Sequence, residues 1–478
     1  MELKTINSNY NNVKIYKFDF SYSAEKRGRV RRRKRNMPED IIIGRDESDK
    51  KRFGTEGLVY LGKHYVKMGQ ITSLSNRVMM DVARAHVVLI AGKRGSGKSY
   101  TLGVLAEEIS SLPPNIAQNL AVVIFDTMGI FWTMAYKNEK ESELMKEWDI
   151  DAKKLPVRVF VPFGFADAWR ERGIPVTKEF ALKVSDISAE EWNLTFNLSY
   201  VDPVGAVVQG AVTKLQEELE EGAIKEYDID DIVKIIRLNK ESGIHEKNAA
   251  INLFEAAKTW KIFATKKEKS TSMAELVETG KPAVIDLSCY SSIGTVNVRA
   301  LIIGLVSKKL FNERMEARKF EEVEAVRHGL DYLQYKEKRE MPLVWIFIDE
   351  GHEFLPLQGK TAATDALIQL LREGRQPGIS MAIATQQPGQ IHHDVMTQSD
   401  IVISHRVTAK PDIDSLNYIM QTYLLADIKT YLDNLPRLKG SAIILDDNSE
   451  RIYPMRVRPR FTWHGGESPT AVKIKKRI

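Results

Sequence analysis

The sequence predicts an α/β fold: a mainly parallel sheet flanked by helices and interrupted by a helical insertion. Three observations carry that expectation. Short apolar runs without polar alternation recur along the chain, at His86–Ala91, Ala121–Phe125, Val157–Val161, Ala283–Leu287, Val344–Ile348, Ile379–Ala384 and Ile401–Ser404. Such runs suit strands covered on both faces. The first of them leads directly into a glycine-rich loop and then a helical pattern, with Leu102, Leu105, Ala106 and Ile109 on one side. Between Ile187 and Ala274 the strand signals stop and helical spacing takes over, as in Val207, Val208, Ala211, Val212 and Leu215.

In chain order, residues 1–57 form a polar, weakly patterned extension with a short strand expected at Val13–Phe20. Within it, residues 26–35 (KRGRVRRRKR) carry eight positive charges and no acid. The chain's net charge is +6, so the remainder is close to neutral. A basic arm of this kind is a candidate phosphate-binding segment or a solvated tail. Residues 58–186 are expected to form the first part of the core and 187–275 the helical insertion. Residues 276–478 complete the core, with a highly charged connection, exposed or mobile, expected at 319–341. The composition, 43% apolar and 28% charged, is that of an ordinary globular protein. No apolar run is long enough to cross a membrane, the N-terminus lacks a secretory signature, and Cys289 is the single cysteine. These features predict a cytoplasmic location with no membrane contact.

The loop reads AGKRGSGKSY, residues 91–100, and Gly92 to Ser99 spell G-x-x-x-x-G-K-S. Gly92, Gly95 and Gly97 let backbone N–H groups turn inward around phosphate, where a Cβ would obstruct them. Lys98 would reach the β- and γ-phosphates of ATP, and the Ser99 hydroxyl would ligate Mg2+. Lys93, Arg94, Ser96 and Tyr100 complete the segment that would wrap the nucleotide. Further on, VWIFIDEGHEF at 344–354 ends a buried-type strand in two acids. Asp349 is the candidate second Mg2+ ligand, and Glu350 the general base that activates water. His352 is a supporting residue at most. The adjacent acid argues for hydrolysis. A guanine-reading N-K-x-D is absent, since Asn239-Lys240-Glu241-Ser242 lacks the Asp, and no second motor domain is evident.

Residues 371–390 read LREGRQPGISMAIATQQPGQ. Gln386, at the tip of the strand beside the acids, would contact the γ-phosphate or the attacking water. Arg372 and Arg375 sit at the opposite end of that strand, too far to serve their own nucleotide. In a ring they could serve a neighbour's, the geometry of an arginine finger supplied in trans. Gln390, His392, His393 and Asp394 have the residue types of metal ligands but read as ordinary loop polar groups. The single cysteine and the Phe131-Trp132 pair read as core.

GKRGSGKS, IFIDEGHEFLP, GRQPGISMAIATQQPGQI and DIVISHRV, followed by LPRLKGSAIIL and YPMRVRPRF, together resemble the HerA/FtsK superfamily of P-loop ATPases, and its HerA branch in particular. The resemblance covers about residues 58–465. It implies a RecA-like (ASCE) core and a homo-hexamer that translocates on or unwinds double-stranded DNA in repair, end processing or defence. It also favours Arg375 over Arg372 as the finger, through the family's G-R-x-x-G position. A DNA- or protein-threading secretion motor and a protein-remodelling ATPase are the alternatives. HerA-type proteins dock a NurA-like nuclease on an N-terminal β-barrel. With some 57 residues ahead of the core, that barrel is not expected here. Asp126-Thr127-Met128-Gly129-Ile130 also lacks the acid that the family often carries after the second strand's Asp.

Overall fold

The computed structural model describes residues 39–471, apart from 69–70, 267–268, 291–295, 421–427, 468 and 470. The basic arm at 26–35 and the strand expected at Val13–Phe20 lie outside the described residues. The strands, in chain order, begin with β1 (Ile41–Ile43), β2 (Leu58–Met68), β3 (Ile71–Asp81), β4 (Val87–Ala91) and β5 (Leu120–Asp126). Next come β6 (Arg158–Pro162), β7 (Val176–Phe180), the short pair β8 (Leu182–Lys183) and β9 (Phe263–Ala264), and β10 (Ala283–Asp286). The last five are β11 (Leu343–Ile348), β12 (Ile379–Thr385), β13 (Ile401–His405), β14 (Ser441–Asp446) and β15 (Arg451–Val457).

Among the described residues, thirteen of these strands make one sheet, in the order β1-β3-β2-β15-β14-β13-β4-β12-β11-β5-β10-β6-β7. From β13 to β7 every pairing is parallel. β14, β15, β2 and β3 extend the sheet by antiparallel pairing. The parallel half explains the unalternating runs. In β4, Leu89 and Ala91 face one core while Val88 and Ile90 face the other, so each strand residue is buried whichever way it points. The expected division at 57/58 falls between the helix Glu47–Phe53 and β2, and β1 ahead of it already pairs with β3.

The helix Lys98–Ile109 covers one face with Leu102, Leu105, Ala106 and Ile109. On the other face lie the helices Ala189–Thr195, Pro203–Glu220, Ile229–Leu238 and Ile244–Lys258, which share a continuous apolar core with β5, β11 and β12. Trp192, fully buried, stacks on Phe196 and meets Phe254 and Phe263 edge-on or tilted, which fixes the helices to one another. Phe131 and Trp345 are also buried. No helix among the described residues is long and apolar enough to cross a membrane.

One expectation needs correction. Residues 319–328 are not part of a connection: they continue a 33-residue helix, Val296–His328. Most of that stretch is exposed, but Glu321 is buried between Arg314 and Arg339. Arg314 in turn donates to the carbonyls of Pro377 (2.8 Å) and Met341 (2.9 Å). Glu321 is therefore paired inside the fold, and Arg314 holds the middle of the helix against the turn that precedes β12.

Candidate functional site

The glycine-rich loop leaves the sheet at Ala91, whose neighbours are Thr385 of β12 and Ser404 of β13. Gly97 caps the following helix with φ 116°, a backbone state that side-chain-bearing residues rarely adopt. His405, the last residue of β13, lies fully buried beneath the loop. A Cβ on Gly92 would come within 2.7 Å of it. Burial pushes the His405 imidazole down to about 4, so the ring is neutral. Its Nδ1–H donates to the Ser441 carbonyl (3.1 Å), which leaves Nε2 to accept from the Thr101 hydroxyl (2.8 Å). The loop is thus pinned from below by a residue some three hundred positions later in the chain.

Lys98 is buried in the first turn, and its Nζ lies 3.4 Å from the Lys93 carbonyl. Burial lowers its pKa. Lys93, Arg94 and Gly95 are exposed; Ser96, Ser99 and Tyr100 are half-buried. Ser99 Oγ donates to Asp349 Oδ2 at 2.5 Å. Two hard oxygen donors therefore meet where the loop helix and β11 converge, the type of donor set that Mg2+ takes. Burial raises the Asp349 carboxyl above its usual range.

Glu350 follows in the left-handed region, φ 53° and ψ 45°, which is unusual for a residue with a side chain. Burial, then the neighbouring Asp349 charge, lifts its carboxyl to about 7, and its Oε2 has no hydrogen-bond partner. The Gln386 backbone N–H acts on that carboxylate in the opposite sense. His352 Nδ1 lies 3.7 Å from Glu350 Oε2 and 3.2 Å from Thr385 Oγ1, bridging the two strand ends. Gly351 has a steric reason: a Cβ there would sit 2.3 Å from Ile383 Cγ2. Because β12 lies between β4 and β11, Gln386 emerges between the loop and the acids.

The two arginines behave differently. Arg372 pairs with Asp394 at 2.7 Å in its own chain, whereas Arg375 is exposed in the turn before β12 and has no ion pair among the described residues. Both lie toward the end of the sheet remote from the loop. Asp394 is buried by its pairing, and no group of three metal-ligating side chains occurs among the described residues. Cys289 is half-buried, with its thiol pushed up to about 12 by burial.

Three further features could not be read from the residue string. Asp126 and Asp286 stand side by side at the ends of β5 and β10, in the row that Asp349 continues on β11. Asp126 is fully buried and is raised to about 7 by burial and by Asp286, while its Oδ2 accepts from the Phe131 N–H (2.7 Å). Arg299, on the long helix, binds Glu353 at 2.9 Å just beyond the acids. His405 is the third. In the sequence Asp126 shows as the acid ending an apolar run, where the family resemblance also places an Asp, but nothing there reveals its pairing with Asp286.

A glycine-rich loop on a parallel sheet, with a Ser–Asp oxygen pair and a half-buried glutamate two strands away, defines a P-loop ATPase. The chain belongs to the family of the helicase HerA central domain, whose family model matches residues 66–306. It is an ATP-hydrolysing enzyme of the HerA/FtsK type. It is similar to a probable DNA double-strand break repair helicase HerA of Methanocaldococcus jannaschii, 22% identical over 384 residues, which covers 74% of this chain and 69% of that protein. A HerA helicase of Pyrococcus furiosus is 25% identical over 189 residues, covering 37% of this chain and 32% of its own length. Among solved structures, VirB4 of Thermoanaerobacter pseudethanolicus superposes with a TM-score of 0.51 at 11% identity, covering 84% of this chain and 96% of that one. The conjugative coupling protein TrwB gives 0.50 at 11% identity, covering 86% and 96%. Both share the fold.

Proposed function

We propose that the chain is the subunit of a hexameric motor that uses ATP to translocate on or unwind double-stranded DNA. The observation that carries the ring is Arg375, exposed, without an acid partner among the described residues and remote from its own nucleotide loop. In a ring it would reach the γ-phosphate held by the adjacent subunit. The two HerA helicases among its relatives favour DNA as the track.

In this reading the backbone of residues 92–97 and Lys98 grip the phosphates. Ser99 and Asp349 would hold Mg2+, which would supply neutralisation of phosphate charge. Glu350 takes the proton of the attacking water. Its half-buried carboxyl, with a proton affinity close to neutrality, suits it to that transfer. Gln386 orients the water or the γ-phosphate from between the two loops. A NurA-like nuclease remains a candidate partner.

The test is ATPase activity with and without linear duplex DNA, alongside images of the particle. Strong stimulation by duplex and a six-membered ring around it support the motor. A particle stimulated by a protein client but indifferent to DNA would instead identify a remodelling or secretion ATPase.

A further inference from the structure

Residues 374–378 (GRQPG) lead into β12, and Arg375 and Gln376 are their exposed members. The turn is tight on both sides of that pair. The Gly374 N–H donates to the Leu370 carbonyl (2.8 Å), and a Cβ on Gly374 would come within 2.4 Å of the same oxygen. Gly378 has φ 80°, and a Cβ there would meet Leu343 Cδ2 at 2.5 Å. Between the two glycines, Pro377 is buried. Proline has no N–H, so its carbonyl is the one backbone polar group it takes into the interior.

Arg314, reaching across from the long helix, meets that carbonyl. Its guanidinium is fully buried: Nε donates to Pro377 (2.8 Å), while Nη1 donates to the Met341 carbonyl (2.9 Å) and to Glu321 Oε1 (3.2 Å). Met341 and Pro377 precede β11 and β12, which pair in parallel from Val344 and Ile379. Arg314 therefore ties together the entries of the two strands whose far ends lead to Glu350 and Gln386. Burying a guanidinium costs desolvation, and an apolar side chain of similar volume often packs as stably in its place. Such a side chain would lack the fork that holds two carbonyls at once. Packing alone does not call for arginine here.

We propose that Arg314 is a positioning residue for the arginine finger: by fixing Pro377 it holds the turn from which Arg375 reaches a neighbour's nucleotide. Arg375 has no ion pair among the described residues, so the aim of its side chain depends on the backbone that carries it. A catalytic group must be held within about 0.5 Å of its productive place. A displacement of about 1 Å, caused far from the chemistry, can cost about a hundredfold in rate. The proposal rests on the reading of Arg375 as a finger supplied in trans.

The test measures ATP affinity and turnover, with Mg2+, for the full chain carrying Arg314→Lys or Pro377→Gly. Lysine keeps a charge for Glu321, which also pairs with Arg339, but loses the fork; glycine frees the turn without touching the helix. Each variant should keep its ATP affinity and lose turnover, by about a hundredfold for Arg314→Lys. Mixed with Lys98→Ala subunits, each should regain part of its rate, because its intact pocket then meets a well-held finger. Mixed with Arg375→Ala subunits, it should regain none. A defect in the variant's own pocket or in assembly would be rescued by neither partner. Native turnover in both variants overturns the positioning role. So does the absence of rescue by Lys98→Ala where Arg375→Ala is rescued by it, or recovery with Arg375→Ala subunits, which would show the variant's finger to be sound. If Arg314→Lys does not fold, Pro377→Gly decides alone. Failure of the Arg375→Ala and Lys98→Ala pair itself, with subunit exchange demonstrated, overturns the finger in trans, and the positioning role falls with it.

Discussion

His86 joins the antiparallel half of the sheet to the parallel half, and its charge makes that joint sensitive to alkali. Its Nε2 faces Asp81 Oδ2 at 3.0 Å and its Nδ1 faces Asp400 Oδ2 at 2.6 Å. Only the imidazolium can donate to both. Arg45 donates to the other oxygen of Asp81 (2.6 Å), so the group of two cations and two anions, buried except for the half-buried Asp400, is neutral overall. Burial alone would lower the His86 pKa; the bonds from Asp400 and Asp81 overcome it and raise the value from 6.5 to about 9. At 1.36 kcal/mol per unit, the protonated ring contributes about 3 kcal/mol to stability. Since the folded value exceeds the unfolded one, that contribution is complete below about pH 6.5 and is lost as pH rises through about 9. Urea denaturation between pH 6 and 10 should show the native chain losing about 3 kcal/mol more than His86→Gln, which cannot titrate. Asp400→Asn, which removes one of the two carboxylates, should move the loss to lower pH. Parallel pH profiles for the native chain and His86→Gln would refute the reasoning.

The catalytic assignments divide binding from turnover. Lys98→Ala should abolish ATP binding, whereas Glu350→Gln should bind ATP and fail to hydrolyse it; a Glu350→Gln protein that keeps most of its turnover has its base elsewhere. Arg375→Ala should leave ATP affinity nearly intact and lower hydrolysis by about 10³-fold. Mixing it with Lys98→Ala subunits should restore part of the rate, and no recovery under conditions of subunit exchange would argue against a finger supplied in trans.

The parallel half of the fold was legible because strands buried on both faces have few polar positions, as in β4, β5, β11 and β12. The antiparallel half was not. β15 runs from an exposed Arg451 through half-buried positions, and β2 carries Lys63 and His64 among its apolar residues, so neither makes an apolar run. Helix 319–328 was hidden by its charge, because nothing local reveals that Glu321 finds Arg314 and Arg339. At the site, the loop and the two acids announced themselves by spacing. What adjusts them did not: His405, Arg299 and the Asp126–Asp286 pair matter through neighbours distant in sequence. Arg372 and Arg375 were separated in the string only by the family's G-R-x-x-G position, and the fold adds the reason by giving Arg372 a partner in Asp394.

The position of β4 in the sheet has a consequence for how the protein can be made. The strand that delivers the nucleotide loop ends at Ala91, yet the two strands that flank it begin at Ile379 and Ile401. During synthesis the loop and its helix emerge early, but both edges of β4 stay unpaired until most of the chain has followed. Contacts of such long range form slowly, and open apolar edges meanwhile invite pairing with other chains. Fragments that stop short of β13 should therefore aggregate instead of forming a small nucleotide-binding module, even though they carry the whole glycine-rich motif.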